Sequence, residues 1–244
     1  MAAKRRSIDF FRILLDVESK NTTDGTFIFT CSQSDFWHEG VDLEKLDEAL
    51  DVIDFTPWNT YLMLTKRPAL AIRRLAALRR RWPANAWCGV TCGHPKSLPL
   101  LKPLRRIEAE KKFLSVEALL SPMVPGLDLP DIDWVIGGGE SGPKARPCLV
   151  DWARALRDFT VGQGIPFFWK QWGVRENNPT QWEEELDPFA KGGATLDGKL
   201  WREFPVWQPV ATIATPQFYL DSRLGPPLAH ALGPSPLPGV APAS

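Results

Sequence analysis

The 244-residue chain has no apolar run approaching the roughly 20 residues needed to cross a bilayer. Residues Met1 to Asn21 have neither the apolar core nor the small-residue cleavage site of a secretory signal. Both absences point to a cytoplasmic protein with no membrane partner. Cysteine is scarce, with four residues at 31, 88, 92 and 148, and in a reducing compartment these are expected to remain thiols. No Ser-His-Asp order, no Walker glycine loop and no His-Glu-x-x-His segment occurs, so the hydrolases, nucleotide triphosphatases and zinc proteases that such motifs announce find no support. Formal charge is zero, which favours neither an acidic nor a basic partner.

The cysteines also argue against a metal centre. Cys88 and Cys92, followed by His94, have the look of ligands, yet they fall on one face of an apolar run that reads as a strand. Four residues at about 3.3 Å each separate the two sulfurs by roughly 13 Å, too far for one ion with Zn–S bonds of about 2.3 Å. Buried structural thiols are the better reading, and no metal site is expected.

What the sequence does contain is an uneven charge distribution and a repeated strand-helix pattern. From Asp35 to Asp54 eight carboxylates face one lysine, Lys45, whereas Lys66 to Lys112 holds 13 Lys and Arg against Glu108 and Glu110. Such asymmetry suits a polyanion surface around Arg73, Arg74, Arg80 and Arg81, or two solvated helix faces of opposite sign. Residues 26–31, 61–64, 87–92, 112–117, 132–136 and 165–169 are short β-branched, aromatic or apolar runs that predict strands. Between them, 41–55, 68–80 and the stretch from Asp151, a candidate N-cap, have apolar residues at helical spacing. Pro68 opens the second of these helices, with Leu75 and Leu78 facing inward and the arginines outward. A broken leucine- and arginine-rich stretch runs to Ile107.

Alternation of this kind predicts an α/β protein with parallel pairing through right-handed crossovers: an incomplete (β/α) barrel or curved parallel sheet of about six βα units. The core is expected over residues 22–173. It is preceded by an extension, 1–21, that reads as a helix or a displaced strand. An irregular Trp-rich extension, 174–215, follows, and then a Pro- and Ala-rich tail, 216–244, expected to be disordered.

The chain is organised around Ile132 to Pro147. An apolar run stops at Gly137, Gly138 and Gly139, and Glu140, Ser141, Lys144 and Arg146 follow at once. That order places reactive groups and open backbone just past the carboxyl end of a strand, where α/β sheets and barrels hold ligands. Other strand ends deliver Ser34 and Asp35, Lys66 and Arg67, Glu117, and Lys170 and Gln171. A barrel brings these to one face, so a shared site is expected there.

The segments Ser32 to Glu39, Leu64 to Pro68, Trp87 to Thr91, Phe113 to Pro122, Asp133 to Pro147 and Pro166 to Gly173 together resemble the phage and prophage three-cysteine-motif family of unknown function, described as radical-SAM-like. The resemblance covers about residues 27–173. It implies a radical-SAM-like fold, S-adenosylmethionine as ligand and a [4Fe–4S] cluster held by a three-cysteine loop after the first strand. This chain has no such loop and opens near what looks like the family's second strand, so no iron–sulfur cluster is expected in it. Either the chain is a fragment or mis-started product, or a second polypeptide supplies the missing first unit, or the fold persists without the redox chemistry.

The leading expectation is a nucleotide-like ligand such as S-adenosylmethionine at the strand ends. Glu140 and Ser141 would meet ribose or amino groups, Gly137 to Gly139 would allow close approach, and Lys66, Arg67 and Lys170 would hold carboxylate or phosphate. The alternative is a non-enzymatic phage accessory protein that binds nucleic acid through the basic 66–112 region.

Overall fold

The computed structural model describes residues 27–31, 34–179 and 185–206. The 1–21 extension and the 216–244 tail lie outside the described residues. Six strands form one sheet: β1 Phe27–Thr30, β2 Thr60–Thr65, β3 Ala86–Thr91, β4 Lys112–Glu117, β5 Trp134–Gly138 and β6 Phe167–Trp169. Their spatial order is their sequence order, and every pair is parallel. Helices α1 Leu43–Phe55, α2 Pro68–Leu78, α3 Leu101–Arg105 and α4 Val150–Gly162 lie in the crossovers, with a 3-10 turn over Pro95–Leu100 leading into α3. Sequential winding through right-handed crossovers keeps all helices on one side, and the sheet curls into a half-barrel around the other.

The two faces carry different cores. Towards the helices the strands send Tyr61, Met63, Cys88, Val90, Leu114, Val116, Val135 and Phe167, which pack with Leu46, Leu50 and Ile53 of α1 and Leu156 of α4. The concave face holds a separate cluster of Leu62, Trp87, Phe113, Trp134 and Ile136. Burial on both faces is why β2 to β5 read as nearly continuous apolar runs. Gly89 makes room within this cluster, because a side chain there would collide with the Phe113 ring.

The segment after β6 has structure of its own. A two-stranded hairpin, β7 Thr195–Leu196 with β8 Lys199–Leu200, leads into residues 201–203, which run antiparallel along β6. Trp169 donates its backbone N–H to the Trp201 carbonyl at 2.8 Å, and Glu203 donates to Phe167 at 3.1 Å, so this edge of the sheet is covered. Phe204 then reaches under the concave face, 5.2 Å from Trp134 and 5.4 Å from Phe168 between ring centroids. The Glu203 carbonyl accepts the Trp134 indole N–H at 2.9 Å. The irregular extension expected after residue 173 is in part a strap that closes the sheet edge and the barrel floor.

Several local expectations are corrected. The fifth strand begins at Trp134 and includes Gly137 and Gly138, because Gly137 and Gly138 pair with Val116 and Glu117 of β4. The sixth begins at Phe167, since Pro166 offers no N–H and its carbonyl instead accepts from Val135. Asp151 lies in the first turn of α4, whose N-cap is Leu149. Arg74 faces inward, only 8% exposed, and donates to the Val41 carbonyl before α1. The acidic and basic segments meet across the α1–α2 contact, where Arg80 pairs with Asp47, Asp51 and Asp54 on successive turns of α1, the last at 3.1 Å.

Three aspartates at three- and four-residue spacing on one helix face repel one another unless a cation stands among them. Arg80→Ala is therefore expected to cost about 1–2 kcal/mol, between an exposed and a buried ion pair. Chemical denaturation is the measurement, and the loss should shrink at high salt. In a double-mutant cycle with Asp51→Asn the two changes should cost less together than their sum.

Candidate functional site at the strand ends

The polar residues at the carboxyl ends of the strands divide into three groups. At the β1–β2 rim, Asp35 is an acceptor hub. Thr65 Oγ1 donates to both its carboxylate oxygens at 2.9 and 3.1 Å, and the backbone N–H groups of Trp37 and Lys66 donate at 3.0 and 3.1 Å. Arg67 Nη1 donates at 3.1 Å, while its Nε meets Glu39 at 3.1 Å. Asp35 and Arg67 thus tie the loops after β1 and β2 together. Ser34 donates its backbone N–H to the Cys31 carbonyl and its side chain hydrogen-bonds the Cys31 thiol. Lys66 is exposed and has no ion pair among the described residues.

The second group stands in the middle of the concave face. Ser115 and Glu117 are two residues apart on β4 and share its inner side, above the aromatic floor. Ser115 Oγ donates to Glu117 Oε2 at 3.2 Å, and Lys170, just past β6, reaches Glu117 Oε1 at 3.1 Å from across β5. Between them lies Gly138, where an added Cβ would stand 3.0 Å from Glu117 Oε1. Without a side chain at Gly138, the carboxylate and the ammonium meet over bare backbone. Ser115 was not among the residues singled out from the sequence, although a period of two from Glu117 places it on the same face.

The third group is the loop after β5. Glu140 forms a bidentate pair with Arg146: Nη2 donates to Oε1 at 2.7 Å and Nε to Oε2 at 2.8 Å, with the Arg146 backbone N–H adding a third bond at 2.9 Å. Hydrogen bonds from the guanidinium, then from that N–H, hold the Glu140 carboxyl down at about 2. The pair closes its own loop, and Glu140 shares no hydrogen bond or ion pair with Glu117 or Lys170. Ser141 is exposed. Gln171 accepts the Gly139 N–H at its backbone carbonyl and donates Nε2 to the Gly139 carbonyl at 3.4 Å.

The three glycines serve different needs. A side chain at Gly137 would press on Trp169 and Leu156 on the helix side, and one at Gly139 would land on the Trp172 carbonyl. Both spaces are taken by the protein's own chain. Only Gly138 opens towards the concave mouth.

The cysteines do not converge. Cys88, Cys92 and Cys148 are buried and Cys31 half-buried, all four as free thiols. Burial raises the Cys88 thiol far above its ordinary range, Cys92 to about 11 and Cys148 to about 12. Among the described residues no three His, Cys, Asp or Glu side chains are grouped to hold a metal ion. Cys31 follows β1, Cys88 lies within β3, Cys92 just after it and Cys148 before α4. No helix among them is long and apolar enough to cross a membrane.

Fold and site together define a partial (β/α) barrel with a polar mouth above an apolar floor. The model of a family described as protein of unknown function, DUF5131, matches residues 13–205, and the chain belongs to that family. No curated protein and no solved structure matches it.

Gly139→Ala is expected to lower the melting temperature markedly because its methyl lands 2.0 Å from the fixed Trp172 carbonyl oxygen, whereas the nearest atom to a methyl at Gly138 is the movable Glu117 Oε1 at 3.0 Å, so Gly138→Ala should cost much less. Parallel thermal melts of the two variants check the contrast. For Glu140, whose folded pKa lies below the ordinary carboxylate value, the stabilising pair is complete above about pH 4.5 and lost as pH falls towards 2. Side-chain carboxyl NMR should show its low titration midpoint returning to the ordinary range in Arg146→Gln.

Proposed function

We propose that the chain binds a nucleotide-like small molecule, such as S-adenosylmethionine, at the mouth of the half-barrel. The observation that carries this reading is the Ser115–Glu117–Lys170 group over Gly138. An amino-acid moiety presents an ammonium and a carboxylate side by side, the complement of a paired carboxylate and ammonium. Entering between Glu117 and Lys170, it exchanges one salt bridge for two charge-assisted contacts. Ser115 can donate or accept, and Leu64 and Ile136 offer apolar surface for a flat ring. The resemblance to the phage and prophage three-cysteine-motif family supports the same ligand class and a radical-SAM-like descent. The redox half of such chemistry is not assigned to this chain, and in this reading it would come from a second polypeptide carrying the cysteine loop.

The nucleic-acid alternative draws less from the structure. Of its four arginines, Arg74 is buried against the Val41 carbonyl and Arg80 is held by three aspartates, which leaves Arg73 and Arg81.

Calorimetric titration of S-adenosylmethionine should show binding to the parent. Glu117→Gln is expected to weaken it roughly ten- to a hundredfold, the worth of one charge-assisted hydrogen bond. Lys170→Met should do likewise at unchanged melting temperature, Gly138→Val should also weaken it, and Glu140→Gln should have a smaller effect. No binding by the parent, or equal binding by all these variants, would remove the reading.

A further inference from the structure

A second feature of the barrel mouth lies outside the Ser115–Glu117–Lys170 group. Between the start of α2 and the end of the 3-10 turn before α3 is an open groove of about 440 Å³, lined among others by Lys66, Arg67, Ala69, Leu70, Arg73 and Leu100. Its cations are not equivalent. Arg67 is committed, with Nη1 on Asp35 and Nε on Glu39. Lys66 and Arg73 are exposed, and neither has an ion pair or side-chain hydrogen bond among the described residues.

This contrasts with the neighbouring basic residues. Arg74 and Arg80 point away from the groove's chemistry, into the Val41 carbonyl and the α1 aspartates. The acidic helix that could neutralise the basic segment thus spends its aspartates on Arg80. Lys66 and Arg73 remain unpaired at one cavity, where Arg67 stands between Asp35 and Glu39 and the Glu39 carboxylate also lines the wall.

We propose that this groove binds a phosphate group, as monoester or diphosphate, on a small molecule with an apolar part. A phosphate monoester carries about −1.5 to −2 charges at pH 7, and the unpaired Lys66 and Arg73 are free to meet it while Glu39 stays paired with Arg67. Its entry relieves their repulsion and adds charge-assisted hydrogen bonds. Leu70, Ala69 and Leu100 form the wall for the apolar part. The site shares no side chain with the Glu117–Lys170 pair. Lys66 follows the last paired residue of β2, two strands from β4, so roughly 10 Å separates the two at about 4.8 Å per strand. The inference therefore stands or falls separately from the ligand proposed at Glu117.

The test is calorimetric titration of the full chain with inorganic phosphate and pyrophosphate at low ionic strength. Binding is expected, stronger for pyrophosphate, and Lys66→Gln and Arg73→Gln should each weaken it about tenfold or more. Both residues are exposed, so the variants should melt as the parent does. Arg81→Gln, an exposed cation outside the groove, and Glu117→Gln, in the other group, should bind as the parent. Absence of pyrophosphate binding by the parent would overturn the proposal. So would equal losses at Arg73 and Arg81 in a parallel titration with a short single-stranded oligonucleotide, since that pattern belongs to a diffuse polyanion surface.

Discussion

Parallel pairing in sequence order is the constraint on which the remaining structure depends. Each strand after β1 pairs with the one before it, and each connection crosses on the helical side. Such a sheet curls in one direction and gathers its carboxyl ends around a common mouth, with no point at which the winding reverses. The concave face must then be filled from within. Trp87, Phe113 and Trp134 fill its amino-terminal half, with Phe204 brought in by the strap along β6. Polar groups are confined to the other end because the floor has no room for them.

Charge is handled in the same economical way. The acidic stretch before and within α1 and the basic stretch from β2 into α2 become neighbours once β1 and β2 pair. Part of the asymmetry is resolved inside the protein: Arg80 among three aspartates, and Arg67 between Asp35 and Glu39. These contacts tie α1 to α2 and the loop after β1 to the loop after β2, the loop that carries Lys66. Glu140 and Arg146 do the same for the loop after β5.

A polar residue at a strand end therefore has two readings, scaffold or site, and the structure separates them by who else is within reach. Asp35 accepts hydrogen bonds from four groups and has little capacity left. Glu140 is saturated by one arginine. Glu117 keeps its place on the open face, where its partners are a serine beside it and an exposed lysine. The glycines divide similarly: Gly137 and Gly139 accommodate Trp169 and the Trp172 carbonyl, and Gly138 accommodates the Glu117 side chain.

Local pattern alone determined the strand-helix alternation, the parallel half-barrel and the location of polar groups at strand ends. Period and composition over four to thirteen residues are local quantities, and buried parallel strands advertise themselves by runs such as Tyr61 to Leu64 and Trp134 to Ile136. Tertiary structure alone decided which of those polar groups meet. Arg80 finds Asp47, Asp51 and Asp54 because α1 and α2 pack side by side, and Lys170 finds Glu117, 53 residues earlier in the chain, across Gly138. It also decided that residues 201–204 cover the edge of β6 and the barrel floor, since nothing periodic marks a segment whose partners are an edge backbone and an indole N–H. Hydrogen bonds and ion pairs act over a few ångströms, and the distances that matter to them exist only after the sheet has formed.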